Sequence, residues 1–164
     1  MTTFVAERPT GTKAEIYYEL GLQARGLFDG ERDPVANAAN LSSLIFGGLD
    51  DLNWAGFYFL KAGVLVLGPF QGRPACVRIA LGKGVCGTAA AERKTLVVPD
   101  VNEFPGHIAC DVASRSEIVV PLIRDGAVIG VLDIDSPHVA RFDDEDRAGL
   151  ERLAALWLAA SDAA

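Results

Sequence analysis

Cysteine, basic charge and long apolar runs are all in short supply in this chain, and each shortage removes a class of function. Three cysteines occur among 164 residues, at Cys76, Cys86 and Cys110. An odd number, with no export signal at the start, argues against a framework of structural disulfides. The C-x9-C and C-x23-C spacings also lack the short C-x2-C step of structural zinc sites, so no metal is expected. Lysine and arginine number 15 against 22 acidic residues, for a net charge of −7. Nucleic acids and anionic membranes are bound through basic surfaces, so neither is an expected partner. The longest apolar runs, such as "VIGVL" and "LAALWLAA", fall short of the roughly 18–20 residues that span a bilayer. The opening "MTTFVAERPTGTKAE" has no basic start leading into an apolar core, which makes the cytoplasm the expected location. What is present is 50% hydrophobic and 23% charged, the composition of a globular domain.

No repeat or low-complexity segment interrupts the chain. The expected organisation is an N-terminal arm over residues 1–12 and a single domain over residues 13–164. Ile16, Leu20, Ala24 and Leu27 recur at helical spacing from Ala14 to about Phe28. A second helix starts at Asp33, an N-cap followed by Pro34, and ends near Gly47-Gly48. "NWAGFYFL" and "VLVLGPF" form a hairpin about "KAG", "CVRIAL" and "TLVVPD" are further strands, and "GKGVCGTAAAERK" is a glycine-rich turn entering a short helix. "EIVVPLI" and "AVIGVLDID" flank "RDG" as a second hairpin. A helix from Asp143 to about Ser161 closes the chain, with Leu150, Leu153, Ala154 and Trp157 as its buried stripe. Tight hairpins imply a mainly antiparallel sheet of about six strands with helices packed on it, an α+β fold.

The last hairpin carries the chemistry. Asp133 and Asp135 alternate with Leu132 and Ile134 and so share one strand face. A two-residue Asp125-Gly126 loop would put Ile123 opposite Val128 and turn Glu117 to the other face. We expect a three-residue loop, Arg124-Asp125-Gly126 with Gly126 left-handed, which sets Glu117 opposite Asp133. Three carboxylates on one face repel one another, so the cluster is either a solvated edge, with Asp135 as a cap ahead of "SPH", or a cation site for an ammonium or a divalent metal.

The thiols have comparable claims. Cys86 lies in "GVCGTAA" near a helix start, where a thiolate is stabilised; Cys110 lies in "GHIACDVASRSE", with His107 and Arg115 to lower its pKa. Cys76 follows "GRPA" at the mouth of a strand. The residues alone do not rank Cys86 against Cys110 as nucleophile, and an inert buried thiol is the alternative for each. Two thiols that meet would support a cycle of attack, sulfenic acid and disulfide. His107 and His138 read first as surface or capping groups. Trp54, Phe57 and Tyr58 read first as core, although Trp54 and Tyr58 share a face with Gly56 between them, leaving room for a small ligand.

Taken together, "NWAGFYF", "LVLGPFQGRPACVRIALGKGVCGTAA", "DVNEFPGHIACDVASRSEIVVPL", "IGVLDIDSP" and "RFDDED" resemble the free methionine-(R)-sulfoxide reductases, a GAF-domain family, in order from about Asn53 to Asp146. The resemblance implies a thiol enzyme acting on the free amino acid without metal or organic cofactor. It matches Cys110 to the attacking cysteine, Cys76 to the resolving one, and Cys86 to a third that joins the relay in some members. It matches Glu117, Asp133 and Asp135 to the carboxylates that hold the substrate's amino group and assist the sulfoxide, and Trp54 and Tyr58 to the aromatics at the sulfur end. A homodimer regenerated by thioredoxin is implied as well. The competing expectations are a GAF sensor that binds a small ligand without turnover, and an interaction protein with an acidic docking face. Neither of those uses the three thiols.

Overall fold

The computed structural model describes residues 4–163; residues 1–3 of the expected arm, and Ala164, lie outside the described residues. Helix α1 (Lys13–Phe28) starts where the Thr12 side chain accepts from the Glu15 amide and Glu15 reaches back to the Thr12 amide, a reciprocal cap. In α2 (Pro34–Gly48) the Asp33 carboxylate accepts from the Val35 and Ala36 amides, and Pro34 occupies a first-turn position that has no partner to lose. The closing helix, named α4 below, begins at a second reciprocal cap between Asp143 and Asp146.

The strands follow as β1 (Trp54–Lys61), β2 (Val64–Gly72), β3 (Arg78–Ala80), then α3 (Gly84–Glu92), β4 (Leu96–Val98), β5 (Ser116–Arg124), β6 (Ala127–Ser136) and α4 (Asp144–Ala160). They form one six-stranded sheet in the order β3-β2-β1-β6-β5-β4, and every neighbouring pair is antiparallel. Both hairpins turn on two residues with positive φ, Ala62-Gly63 and Asp125-Gly126, the geometry that matches the strands' right-handed twist.

The expected three-residue loop is therefore wrong, yet its consequence survives by another route. Ile123 does sit opposite Val128, but the register then slips between Leu122 and Ile123, because Ile129 is bulged out of the ladder. One extra residue inverts the parity of everything beyond it. Glu117 consequently opposes Asp135 instead of Asp133, and all three carboxylates share a face.

That face and its reverse have different contents. On one side Ala55, Phe57, Phe59, Ile118, Val120, Leu122, Leu132 and Ile134 pack with the buried stripes of α1, α2 and α4. Trp157 sits at the centre, with its ring 5.2 Å from Phe57 and 5.9 Å from Phe59. On the other side Trp54, Tyr58, Val119 and Val131 pack under α3 and the connection that leads from β4 to β5. Each large side chain buried this way contributes about 1.5–3 kcal/mol. Among the described residues no helix is long and apolar enough to cross a membrane.

Candidate active site

The second face carries a pocket lined by Trp54, Tyr58, Cys86, Cys110, Glu117, Asp133 and Asp135, together with His107, Ile108 and Ser114. Strand alternation explains the central floor: Trp54 pairs with Asp135, Gly56 with Asp133 and Tyr58 with Val131, so these side chains point the same way. Cys76 and Cys110 are joined by a disulfide across a Cα–Cα distance of 5.3 Å, and Cys86 is the free, buried thiol.

Each cysteine-bearing segment is anchored. The Trp54 indole donates to the Arg73 carbonyl at 3.1 Å and the Tyr58 hydroxyl to the Cys76 carbonyl at 2.9 Å, so the two aromatics brace the stretch that carries Cys76. The Asn53 side-chain amide donates to Asp111 at 3.1 Å and to Ser114 at 3.0 Å, tying down the loop that carries Cys110. The space expected over Gly56 is not a ligand niche: a Cβ there would meet Phe70 Cβ at 2.4 Å and the Trp54 ring at 2.7 Å. Glycine is needed for the indole to lie flat, stacked on Phe70 at 5.2 Å.

Electrostatics set this pocket apart. Glu117 and Asp133 are each only 6% exposed, and no lysine or arginine lines the site. Burial, then repulsion from Asp133 and Asp135, pushes the Glu117 carboxyl well above the usual range. Burial raises Asp133 to about 6, although hydrogen bonds with Cys86 and Glu117 pull the other way. Asp135, half-buried and opposite Glu117, is raised by desolvation and by Asp133. His107 Nε2 lies 3.8 Å from Glu117 Oε2, but burial lowers the imidazole while the carboxyl is raised. Both shifts disfavour an ion pair at this contact. One oxygen, Asp133 Oδ1, is buried with no hydrogen-bond partner. Three crowded carboxyls with raised pKa values, an unpartnered oxygen and no lysine or arginine to offset them form a site that a cation would stabilise.

Several sequence expectations change here. Cys86 does sit in the first turn of α3, but burial and the facing carboxylates Asp133 and Glu117 raise its thiol well above normal. Burial first, and the carboxylates after it, therefore disfavour a thiolate at Cys86. Arg115 pairs with Asp100 at 3.5 Å and does not line the pocket with Cys110. His138, by contrast, is the surface group expected of it, 3.7 Å from Asp51. Asp135 caps no helix, since Asp143 performs that role for α4. Asn53 was legible only as the residue before Trp54; its partners lie 58 and 61 positions away, a separation that no local pattern encodes.

Comparison with known proteins supplies the remaining observation. The GAF domain family matches residues 38–160. A free methionine-R-sulfoxide reductase of Escherichia coli is 53% identical over 143 residues, covering 87% of each chain. One from Saccharomyces cerevisiae is 51% identical over 152 residues, covering 88% of this chain and 84% of the other. The X-ray structure of free methionine-R-sulfoxide reductase from Neisseria meningitidis in complex with its substrate is 44% identical, with a TM-score of 0.91 over 95% of this chain and 94% of that one. The chain belongs to the free methionine-(R)-sulfoxide reductase family of GAF domains. The family resemblance carried by the cysteine and "DID" segments thus coincides with one pocket, whose lining residue Cys110 is bonded to Cys76 just outside that lining.

Proposed function

We propose that this protein reduces free methionine-(R)-sulfoxide to methionine in the pocket on the second face of the sheet. The observation that carries the reading is the Cys76–Cys110 disulfide at a pocket floored by three crowded carboxylates. A primary ammonium satisfies those carboxylates, and the disulfide is the end state of a thiol cycle. In the first step the Cys110 thiolate attacks the sulfoxide sulfur. The oxygen, protonated by a neighbouring acid, ends on Cys110 as a sulfenic acid, and methionine leaves. The Cys76 thiol then attacks the sulfenic sulfur, water departs, and the disulfide remains. An external dithiol returns two electrons and two protons. Thioredoxin is the reductant we propose, in a cytoplasmic setting where such a disulfide is a transient catalytic species.

Asp133, raised only to about 6, is the anion that meets the ammonium, and the more strongly raised Glu117 is the acid. Asp135 completes the ammonium cage. Trp54 and Tyr58 form the wall for the sulfur end while bracing the Cys76 segment. A methionine-sulfoxide residue within a protein has no free ammonium, and leaving a buried charge without its partner costs about 3–5 kcal/mol. Peptidyl substrates should be rejected accordingly. Two copies are expected to associate, and sedimentation velocity measures this; a protein that stays monomeric across concentrations would contradict it.

The test is stoichiometric. Cys76→Ser, given free (R)-sulfoxide, should release one methionine per active site, leave a trappable sulfenic acid on Cys110, and then slow with thioredoxin. Cys110→Ser should release none. Multiple turnover by Cys110→Ser would refute the assignment of the nucleophile, and parental thioredoxin-driven rates in Cys76→Ser would move the resolving role to Cys86.

A further inference from the structure

Cys86 is the thiol with no assigned step in this cycle, and its surroundings are those of a ligand. The sulfur lies 3.8 Å from Glu117 Oε1, and one donor atom each from Cys86, Glu117 and Asp133 fall within 4.8 Å of one another. Two ligands of a tetrahedral zinc ion, at bond lengths of about 2.0–2.3 Å, stand about 3.5 Å apart. The trio therefore needs little closure to meet a common ion. Independently, Asp133 Oδ1 is buried and has no hydrogen-bond partner.

We propose that Cys86, Glu117 and Asp133 form a binding site for a soft or borderline divalent transition metal, zinc in the first instance, which occupies the pocket in competition with an ammonium ligand. The three groups come from α3, β5 and β6, so the site is rigid and does not depend on the Cys110 loop. A thiolate with two carboxylates favours zinc or cobalt over magnesium or calcium, which take oxygen-only sets. Three protein ligands leave a fourth position toward the pocket, on the side where His107 Nε2 stands 3.8 Å from Glu117. On binding, the Cys86 thiol releases its proton to solvent and the carboxylates become ligands, so the ion neutralises charges that otherwise repel. The disulfide-bonded protein retains Cys86 as a free thiol, so the site persists in the oxidised enzyme. The consequence for the reductase is inhibition by zinc that rises in KM more than in kcat; this consequence rests on the reading of the pocket as the substrate site, whereas metal binding does not.

The experiment is titration of the oxidised, metal-free protein with Co2+ alone, followed in the near ultraviolet for a thiolate-to-cobalt charge-transfer band. Expected is a band that saturates at one equivalent, is displaced by Zn2+, and is lost in Cys86→Ser and in Asp133→Asn, with circular dichroism establishing that both variants are folded. Absence of the band in the parent, or its persistence in folded Cys86→Ser, would overturn the proposal. Because the readout is spectroscopic, that failure is distinct from failure to reduce methionine sulfoxide.

Discussion

Leu132 and Asp133 are neighbours in β6 and face opposite sides of the same sheet, the first fully buried and the second 6% exposed. Leu132 belongs to an apolar cluster that joins the sheet to the buried stripes of α1, α2 and α4. Around Asp133 stand a thiol, a glutamate and a second aspartate, with one oxygen unpartnered. One face buries what water rejects and so stabilises the fold. The other buries what water would solvate, and it is stable only because the first face, the caps and the hairpins hold it there. The difference suggests where function resides: in the face that costs stability until a cation arrives.

Substitutions on the two faces should therefore diverge, and the largest expected effect belongs to the second. Asp133→Asn should lower kcat/KM for free methionine-(R)-sulfoxide by about 100-fold or more, the loss of a buried charge pair worth roughly 3–5 kcal/mol. An unchanged kcat/KM would return Asp133 to a structural role. On the first face, Leu132→Ala should cost about 2–5 kcal/mol of stability by denaturant unfolding, while the folded protein keeps its kcat. A kcat loss as deep as that of Asp133→Asn would erase the division between the faces.

The third effect is a pH dependence. The pocket carboxyls are raised above their unfolded values of about 4, so their neutral forms favour folding, fully below pH ~4. That contribution falls as pH rises from the unfolded value towards the folded one, and for Asp133 it is lost once pH passes about 6. Asn carries no such charge, so unliganded Asp133→Asn should gain on the parent by roughly 2 kcal/mol between pH 4 and 8. A stability gap that is flat or shrinks over that range contradicts the raised pKa. The smallest effect concerns the loop that holds Cys110. Asn53→Ala removes two hydrogen bonds to it, at about 1 kcal/mol each, and should lower kcat about tenfold with a minor change in melting temperature. A large melting shift with unchanged kcat would make Asn53 a core prop only.

Much of this division could be seen in the residues alone. The period-2 pattern through Leu132, Asp133, Ile134 and Asp135 announces two faces, and Asp33-Pro34 and the acidic start of α4 announce helix ends. The parity of Glu117 could not be read, because a bulge at Ile129 has no signature in "AVIGVLDID" and a single slipped residue inverts a strand. The state of Cys86 was hidden for a different reason. Helix position is local, whereas its thiol is governed by carboxylates brought from β5 and β6. Asp146 shows the same limit: an acidic first-turn residue in the sequence, it is buried in the fold, bonded to Tyr17, Lys13 and Arg141. Two of those partners, Lys13 and Tyr17, come from the far end of the chain, and only its closure supplies them.

The central claim is that the cation-seeking face selects a free amino acid for thiol reduction. The most direct measurement is NADPH consumption with thioredoxin and its reductase, run in parallel on free methionine-(R)-sulfoxide, the (S)-epimer, and an N-blocked, ester-capped (R)-sulfoxide. The account predicts turnover with the free (R)-epimer alone. Equal turnover of the capped substrate would contradict the role of the carboxylates. No turnover with any of the three, in folded protein whose thiols titrate as reduced, would contradict the reaction itself.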